Sequence, residues 1–329
     1  MNSVARYSLV YVGVLWCAVC TAAAAKHLPA KRCSLPSAVQ RIDAKLDEGM
    51  WTYDNPPLKL LKEKFGFTPT QEWLDNLRLA SVRFNDGGSG SFVSPNGLVL
   101  TNHHVAAGQL AKLSTKERDL LATGYYADKP EKELKCADLE LNVLVSMENV
   151  TERVLNAAKG AATPQEALRA RNAEIEKIQK ESTEKTGLRS DVVDLYRGGE
   201  YWLYRYKKYT DVRLVFAPEK QIAYFGGDYD NFTYPRFDLD CTFFRVYENG
   251  KPVKPQRYLK WNNAGPQENE LVFVSGHPGS TNRLNTYAQF EFNRDYFYPV
   301  RLKRFAKILQ ILREFGSRSD EAKRRAQDL

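Results

Sequence analysis

Residues 88–107 read "GSGSFVSPNGLVLTNHHVAA". Two apolar runs, "SFVS" and "LVLTN", flank Pro95-Asn96-Gly97, and Asn-Gly between such runs is a strong short-range signal for a β-hairpin. The second strand of that hairpin ends on two adjacent histidines, His103 and His104. Histidine is an ordinary surface and loop residue. The pair alone therefore decides nothing, and its chemistry has to be read from the rest of the chain.

The chain has 329 residues, room for two domains or for one large domain with insertions. It is 43% hydrophobic and 27% charged, with 18 Tyr, 16 Phe and 5 Trp, which excludes disorder over most of its length. The formal charge is +8. Its basic residues are interleaved with acids and no nucleic-acid motif is present, so the expectation is a mildly basic secreted protein without a nucleic-acid partner. The N-terminus has the three-part layout of a secretory signal: "MNSVAR" with one positive charge, the apolar run "YSLVYVGVLWCAVCTAAAA", and small residues at Ala22–Ala25 before Lys26. Residues 1–25 are therefore expected to be a signal peptide of a secreted or periplasmic protein, with no membrane association after its removal. Of five cysteines, Cys17 and Cys20 fall in the signal. Cys33, Cys136 and Cys241 remain, enough for one disulfide at most, with the pairing left open.

After the signal, "SAVQRIDAKL" and "PTQEWLDNLRLASV" carry helical patterning, and a strand region follows at 81–105. "LELNVLVSM" at 139–147 is a clear β run. Thr163-Pro164-Gln165-Glu166 supplies an N-cap, a proline at the first helical position and a capping-box Glu, and Gly187 marks the end of the long charged helix that results. Further strands are predicted from about 211, in "DVRLVFAP", "QIAYFGGD", "CTFFRVY" and "ELVFVSGHPG". From 286 the chain turns aromatic, basic and helical. The expectation is a mainly β protein with α insertions, ending within a larger architecture.

A Ser-His-Asp mechanism needs an imidazole base, a buried carboxylate that holds its tautomer, and a serine beside oxyanion donors. "TNHHV" resembles the T-x-x-His-(Cys/Val) ending of chymotrypsin-like hairpins, which places the base at His104 and leaves His103 pointing elsewhere. Among the downstream carboxylates Asp228, Asp230, Asp238 and Asp240, only Asp240 leads straight into an apolar strand, Cys241–Val246. Asp228-Tyr229-Asp230-Asn231 begins like a calcium loop, but Phe232 follows and no Gly or closing Glu comes at the required spacing, so no metal is expected. No credible nucleophile is found: "GGSGS" at 87–91 shares the hairpin of His104, and "GHPGST" at 276–281 lacks the Gly-x-Ser-Gly form.

Together, "GMW" at 49–51, the 90–104 hairpin, "FGGDYDNFTYPR" at 225–236, "DCTFFRVYENGKP" at 240–252 and "FVSGHPGSTNRL" at 273–284 resemble the bacterial dipeptidyl-peptidases of family 46 of the serine peptidases. The resemblance covers about residues 45–285 and implies a double-barrel serine peptidase with an inserted helical domain. This chain then corresponds to its N-terminal part: signal at 1–25, first trypsin-like β-barrel at 26–285 with a helical insertion near 163–187, and the beginning of the helical domain at 286–329. It implies removal of dipeptides from free N-termini, with peptides as partners, no cofactor, and a homodimer as one possible state of the full-length enzyme. It also implies His104 as base, Asp240 as its carboxylate, Asn231 binding the substrate α-ammonium, and Phe232, where the family usually has Trp, walling the pocket. The family's serine lies beyond residue 329, so the chain alone is expected to be inactive. The family's hairpin cysteines are expected at Ser89 and Val105, both lost here. A trypsin-like endopeptidase and a non-catalytic peptide-binding pseudoenzyme are the competing readings.

Overall fold

The structure, a computed structural model, describes residues 50–224, 238–278 and 285–326. Helices α1 (Leu58–Phe65) and α2 (Gln71–Ala80) lead into β1 (Ser81–Phe84). The hairpin β2 (Ser89–Phe92) and β3 (Leu98–Thr101) follows as expected, then α3 (His103–Leu113) and α4 (Leu120–Thr123). Next come β4 (Tyr125–Tyr126), β5 (Leu134–Cys136), β6 (Leu141–Asn149), α5 (Thr151–Ala157) and α6 (Pro164–Thr186). Then β7 (Arg189–Leu195), β8 (Glu200–Tyr209), β9 (Asp211–Ala217), the short α7 (Lys220–Ala223), β10 (Thr242–Glu248) and β11 (Lys251–Pro252) complete the sheet. Helices α8 (Tyr287–Phe292), α9 (Tyr298–Gly316) and α10 (Asp320–Ala326) end the described chain, with a π turn at Asn293–Phe297 between α8 and α9.

All strand pairs are antiparallel, in the order β4-β9-β10-β3-β2-β1-β6-β8-β7, with β5 also on β9 and β11 on β10. Consecutive strands β8 and β9 sit six steps apart in this order yet are joined by Thr210 alone. In a flat sheet they would lie about 29 Å apart, since neighbouring strands are spaced by about 4.8 Å. One linking residue spans about 7 Å. The sheet must therefore curl until its two flanks meet. The rings agree: Phe84 on β1 and Phe244 on β10, three steps apart, lie 5.9 Å centroid to centroid, and Phe92 on β2 and Tyr209 on β8 lie 6.1 Å apart. Among the described residues no ladder closes the ring, so closure is made by the chain at Thr210 and by the shared core. That core gathers Val82, Phe84, Phe92, Val99, Leu141, Leu214, Phe244 and Val246, all at most 2% exposed.

A second, smaller core lies beyond this one. The distal halves of β6 and β8, with β7, carry α5 and α6, and Val150, Val154, Ile178, Tyr201 and Leu203 pack between them. The Thr163 side chain accepts from the Glu166 N–H, Pro164 opens α6, and Gly187 closes it at φ 69°, all as expected, but the Glu166 carboxylate accepts the Ala162 N–H at 3.0 Å and not that of the cap residue as a capping box would.

Several stretches differ from the sequence reading. β7 and β8 were not anticipated; their turn, Tyr196-Arg197-Gly198-Gly199, holds Tyr196 and Arg197 at φ 53° and 57°, without the Asn-Gly signal. The start of "QIAYFGGD", residues 221–223, falls in the helical turn α7, and its end from Phe225 lies outside the described residues. "ELVFVSGHPG", expected as a strand, runs without strand pairing over residues 271–278. It docks by side chains instead. Phe273 closes an aromatic trio with Phe67 and Trp73, Ser275 Oγ lies 3.0 Å from Ser81 Oγ, and the His277 N–H donates to Ser89 Oγ at 2.7 Å. Gly276 has no room for a side chain, because a Cβ there would lie 2.6 Å from Ser89 Oγ. Cys136 and Cys241 are free thiols, and burial pushes the Cys136 thiol up to about 12; Cys33 lies outside the described residues.

Two predictions follow from this packing. Phe244→Ala removes a fully buried ring shared by β1 and β10, and should lower unfolding free energy by about 3–5 kcal/mol in urea titration. His277 is held neutral: burial, then the charge of Arg83, bring its imidazole from 6.5 down to about 4. As pH falls from 6.5 towards 4, the unfolded chain binds a proton that the folded chain refuses, so stability present above 6.5 is lost across that window, on the order of 2–3 kcal/mol. Urea unfolding at pH 7 and pH 4.5 should show a smaller acid loss for His277→Gln than for the parent.

Candidate active site

The site grows from one ladder. β3 and β10 pair with Thr101 opposite Thr242, and both threonines are buried. β3 stops there because Asn102, extended at ψ 153°, is the N-cap of α3. His103 and His104 thus occupy the first turn of a helix that the sequence reading had not drawn. On the other strand Asp240 stands two residues before Thr242, so the pairing sets it beside that turn.

The two expected residues meet. Asp240 Oδ2 lies 2.7 Å from His104 Nδ1, and Asp240 Oδ1 accepts the backbone N–H of His104 at 3.1 Å. A carboxylate oxygen accepts, so Nδ1 carries the proton and Nε2 is left as the acceptor. The second bond also makes Asp240 the cap of α3, supplying a negative charge where exposed N–H groups and the helix dipole favour one. The side chain of Asp240 is 15% exposed and that of His104 is 67% exposed. Among the described residues nothing hydrogen-bonds Nε2, so the ring holds one edge on the carboxylate and turns the other to an open face.

His103 goes the other way. It is 3% exposed and hydrogen-bonds the backbone at Pro218, and burial holds its pKa below the ordinary histidine range. It is a packed residue of α3, as expected from its pointing elsewhere. Ser89 of "GGSGS" is engaged away from His104, its Oγ accepting from the His277 N–H; Ser275, just before "GHPGST", contacts Ser81, and Ser280 within that stretch lies outside the described residues. Asn231 and Phe232, with Asp228 and Asp230, lie outside the described residues.

One expectation shifts by a residue. Val105 faces Gly88, where a Cβ would lie 3.3 Å from Val105 Cβ, while Ser89 turns to His277. Paired disulfide Cβ atoms sit about 3.5–4.5 Å apart, so the position opposite Val105 across this hairpin is 88 and not 89. Sequence reasoning also passed over Asn102. Its amide Nδ2 donates to Asp240 Oδ2 at 3.1 Å and to the Asp240 carbonyl at 3.2 Å. The available signal was an Asn at a strand-to-helix junction. Among the described residues no group of His, Cys, Asp and Glu is arranged to hold a metal ion.

The Peptidase S46 family model matches residues 46–329. Dipeptidyl-peptidase 7 of Capnocytophaga gingivalis is 36% identical over 286 residues, which cover 81% of this chain and 39% of that protein. The Asp/Glu-specific dipeptidyl-peptidase of Porphyromonas gingivalis is 32% identical over 283 residues, 79% of this chain and 39% of that protein. The crystal structure of Porphyromonas endodontalis DPP11 in complex with the dipeptide Arg-Asp superposes with TM-score 0.72 at 24% identity, covering 85% of this chain and 44% of that one. The chain spans about two fifths of the length of these relatives. With its hairpin, its curled sheet and a family match from residue 46 to residue 329, this chain belongs to the Peptidase S46 family.

Proposed function

We propose that these residues supply the general base and its carboxylate to a serine-type dipeptidyl-peptidase, which removes dipeptides from the free N-terminus of peptides. The observation that carries this reading is the 2.7 Å contact between His104 Nδ1 and Asp240 Oδ2, with Nε2 turned outward. In the reaction, Nε2 takes the proton of a serine hydroxyl as its oxygen attacks the scissile carbonyl. The imidazolium then returns that proton to the departing amine. Asp240 keeps its place on Nδ1–H and stabilises the transient charge. The serine and its oxyanion donors come from outside residues 1–329, so this stretch alone is inactive and unreactive toward serine-directed phosphonates. Asn231 binds the α-ammonium group of the substrate and Phe232 walls that pocket. The names of the relatives support a dipeptidyl-peptidase, and the solved complex with Arg-Asp supports a peptide ligand. The protein is exported, with residues 1–25 removed as a signal.

The experiment uses the full-length gene product. Free-amine peptides should release dipeptides and N-acetylated ones should be spared. Asp240→Asn should lower kcat by on the order of 10³–10⁴-fold, since the amide favours the wrong imidazole tautomer. Equal cleavage of acetylated and free peptides would turn the assignment into an endopeptidase, and full activity in His104→Ala would remove the base. N-terminal sequencing of the exported protein should begin at or near Lys26; recovery of Met1 from a membrane fraction would refute the signal.

A further inference from the structure

Asn102 stands at a position where its usual task is done by another residue. Asn is favoured at a helix N-cap because its side-chain oxygen accepts an N–H of the first turn. Here Asn102 is the N-cap of α3 but makes no such bond, and Asp240 Oδ1 accepts the first-turn N–H of His104 instead. The Asn102 side chain turns across to β10 and grips Asp240 at two points, the carbonyl at 3.2 Å and Oδ2 at 3.1 Å. Both partners are acceptors, so the amide nitrogen has to face them; the opposite amide orientation would set oxygen against oxygen.

We infer that Asn102 is the positioning residue of the dyad, fixing the Asp240 carboxylate so that Oδ2 points at His104 Nδ1. This rests on the reading of His104 and Asp240 as base and carboxylate. Asp240 lies on a stretch without strand pairing, just ahead of β10, so its ladder does not set its side-chain rotamer. Oδ1 is held by the His104 N–H, and among the described residues Oδ2 receives only Asn102 and the imidazole. Among these partners, removing Asn102 leaves Oδ2 with the Nδ1–H that it has to orient. The ring is two-thirds exposed, so water competes for that proton. By binding the main chain and the carboxylate of Asp240 together, the amide fixes the side chain relative to its own backbone. The sequence motif "TNHH" then encodes three parts of one device: the last ladder residue Thr101, the clamp Asn102, and the base His104 after the buried His103.

The test reads the tautomer of His104 in the full-length gene product, by long-range proton–nitrogen spectra at a pH where the ring is neutral. The His104 signal is assigned by comparison with His104→Gln. The parent should hold His104 as the Nδ1–H tautomer, against the Nε2–H form that a free neutral imidazole prefers. Asn102→Ala, which removes the donor, should shift His104 towards Nε2–H. Asn102→Asp is nearly isosteric but places an acceptor and a like charge against Asp240, and should shift it as well. If Asn102→Asp kept the parental tautomer, the inference would be overturned. The same holds if Asn102→Ala kept it. Should either variant fail to fold, Asn102→Ser replaces it, since its hydroxyl caps a helix but is too short to reach Asp240. A parent that already showed Nε2–H would overturn the dyad itself, an outcome distinct from a parent with Nδ1–H whose variants do not change.

Discussion

The pairing of β3 with β10 is the constraint from which the site follows. Residues 98–101 and 242–245 are far apart in the chain, and only this ladder brings the lead-in of α3 beside the lead-in of β10. A slip of one residue would turn every side chain on one strand to the opposite face. Phe244 would leave the core and Asp240 would leave the reach of His104. The register is pinned at both ends. At one end Thr101 and Thr242 are buried opposite each other, with Thr101 Oγ1 donating to the Ser89 carbonyl at 2.8 Å. At the other, Arg245 on β10 donates to Glu133 Oε1 at 2.8 Å and to the Asn96 carbonyl in the hairpin turn at 2.9 Å, while the Tyr247 hydroxyl donates to Glu133 Oε2 at 2.7 Å. Gly97 completes that turn at φ 69°, with its α-carbon so close to the Val246 carbonyl that a Cβ would lie 2.9 Å away. Glu133 is buried, and a buried ion pair adds little net stability over an apolar substitute. Its evident effect here is to specify one register.

The same logic of borrowed support runs through the site. Asp240 is at once the hydrogen-bond partner of the imidazole and the cap of the helix that carries it. Cap and dyad therefore cannot be separated: moving Asp240 unsatisfies an N–H of α3 and frees the ring together. Asn102 joins the two elements by donating to main chain and side chain of the same residue. The geometry is rigid where it touches β3 and β10 and open where Nε2 faces outward. Such a division suits a base that has to meet a group arriving from elsewhere.

Away from the site, two different ways of stabilising helices coexist. α6 buries Ile178 and Ser182 against β7 and β8 and is capped at both ends, so it belongs to the small second core. α8 and α9 bury nothing fully and expose Tyr287, Phe290, Leu302 and Ile311. Their local signals are strong nonetheless. Thr286 and Gln289 form a reciprocal capping box at the start of α8. Such local hydrogen bonding marks where the helix starts, whereas most helix stability in proteins comes from packing of an apolar face.

The sequence alone determined the features that depend on neighbours in the chain. The Asn96-Gly97 turn between apolar runs, the Thr163 cap with Pro164, the Gly187 stop and the aromatic helices after 286 all rest on interactions within a few residues. His104 and Asp240 were also legible, because a histidine at the end of a hairpin and a carboxylate leading into an apolar strand keep recognisable local contexts. The β7–β8 hairpin escaped because its turn uses Tyr196 and Arg197 at positive φ in place of Asn and Gly. Its Tyr-rich alternation was the remaining signal. "ELVFVSGHPG" read as a strand because its residues suit one, but Ser89, Ser81 and the Phe67–Trp73 pair hold it by side chains instead. Only the tertiary structure decided that Asn102 clamps Asp240, that Gly88 and not Ser89 faces Val105, and that the sheet curls through Thr210. Each of these depends on a distance between residues remote in sequence or on opposite strands, and such distances are set by ladder register and core packing and not by local propensity.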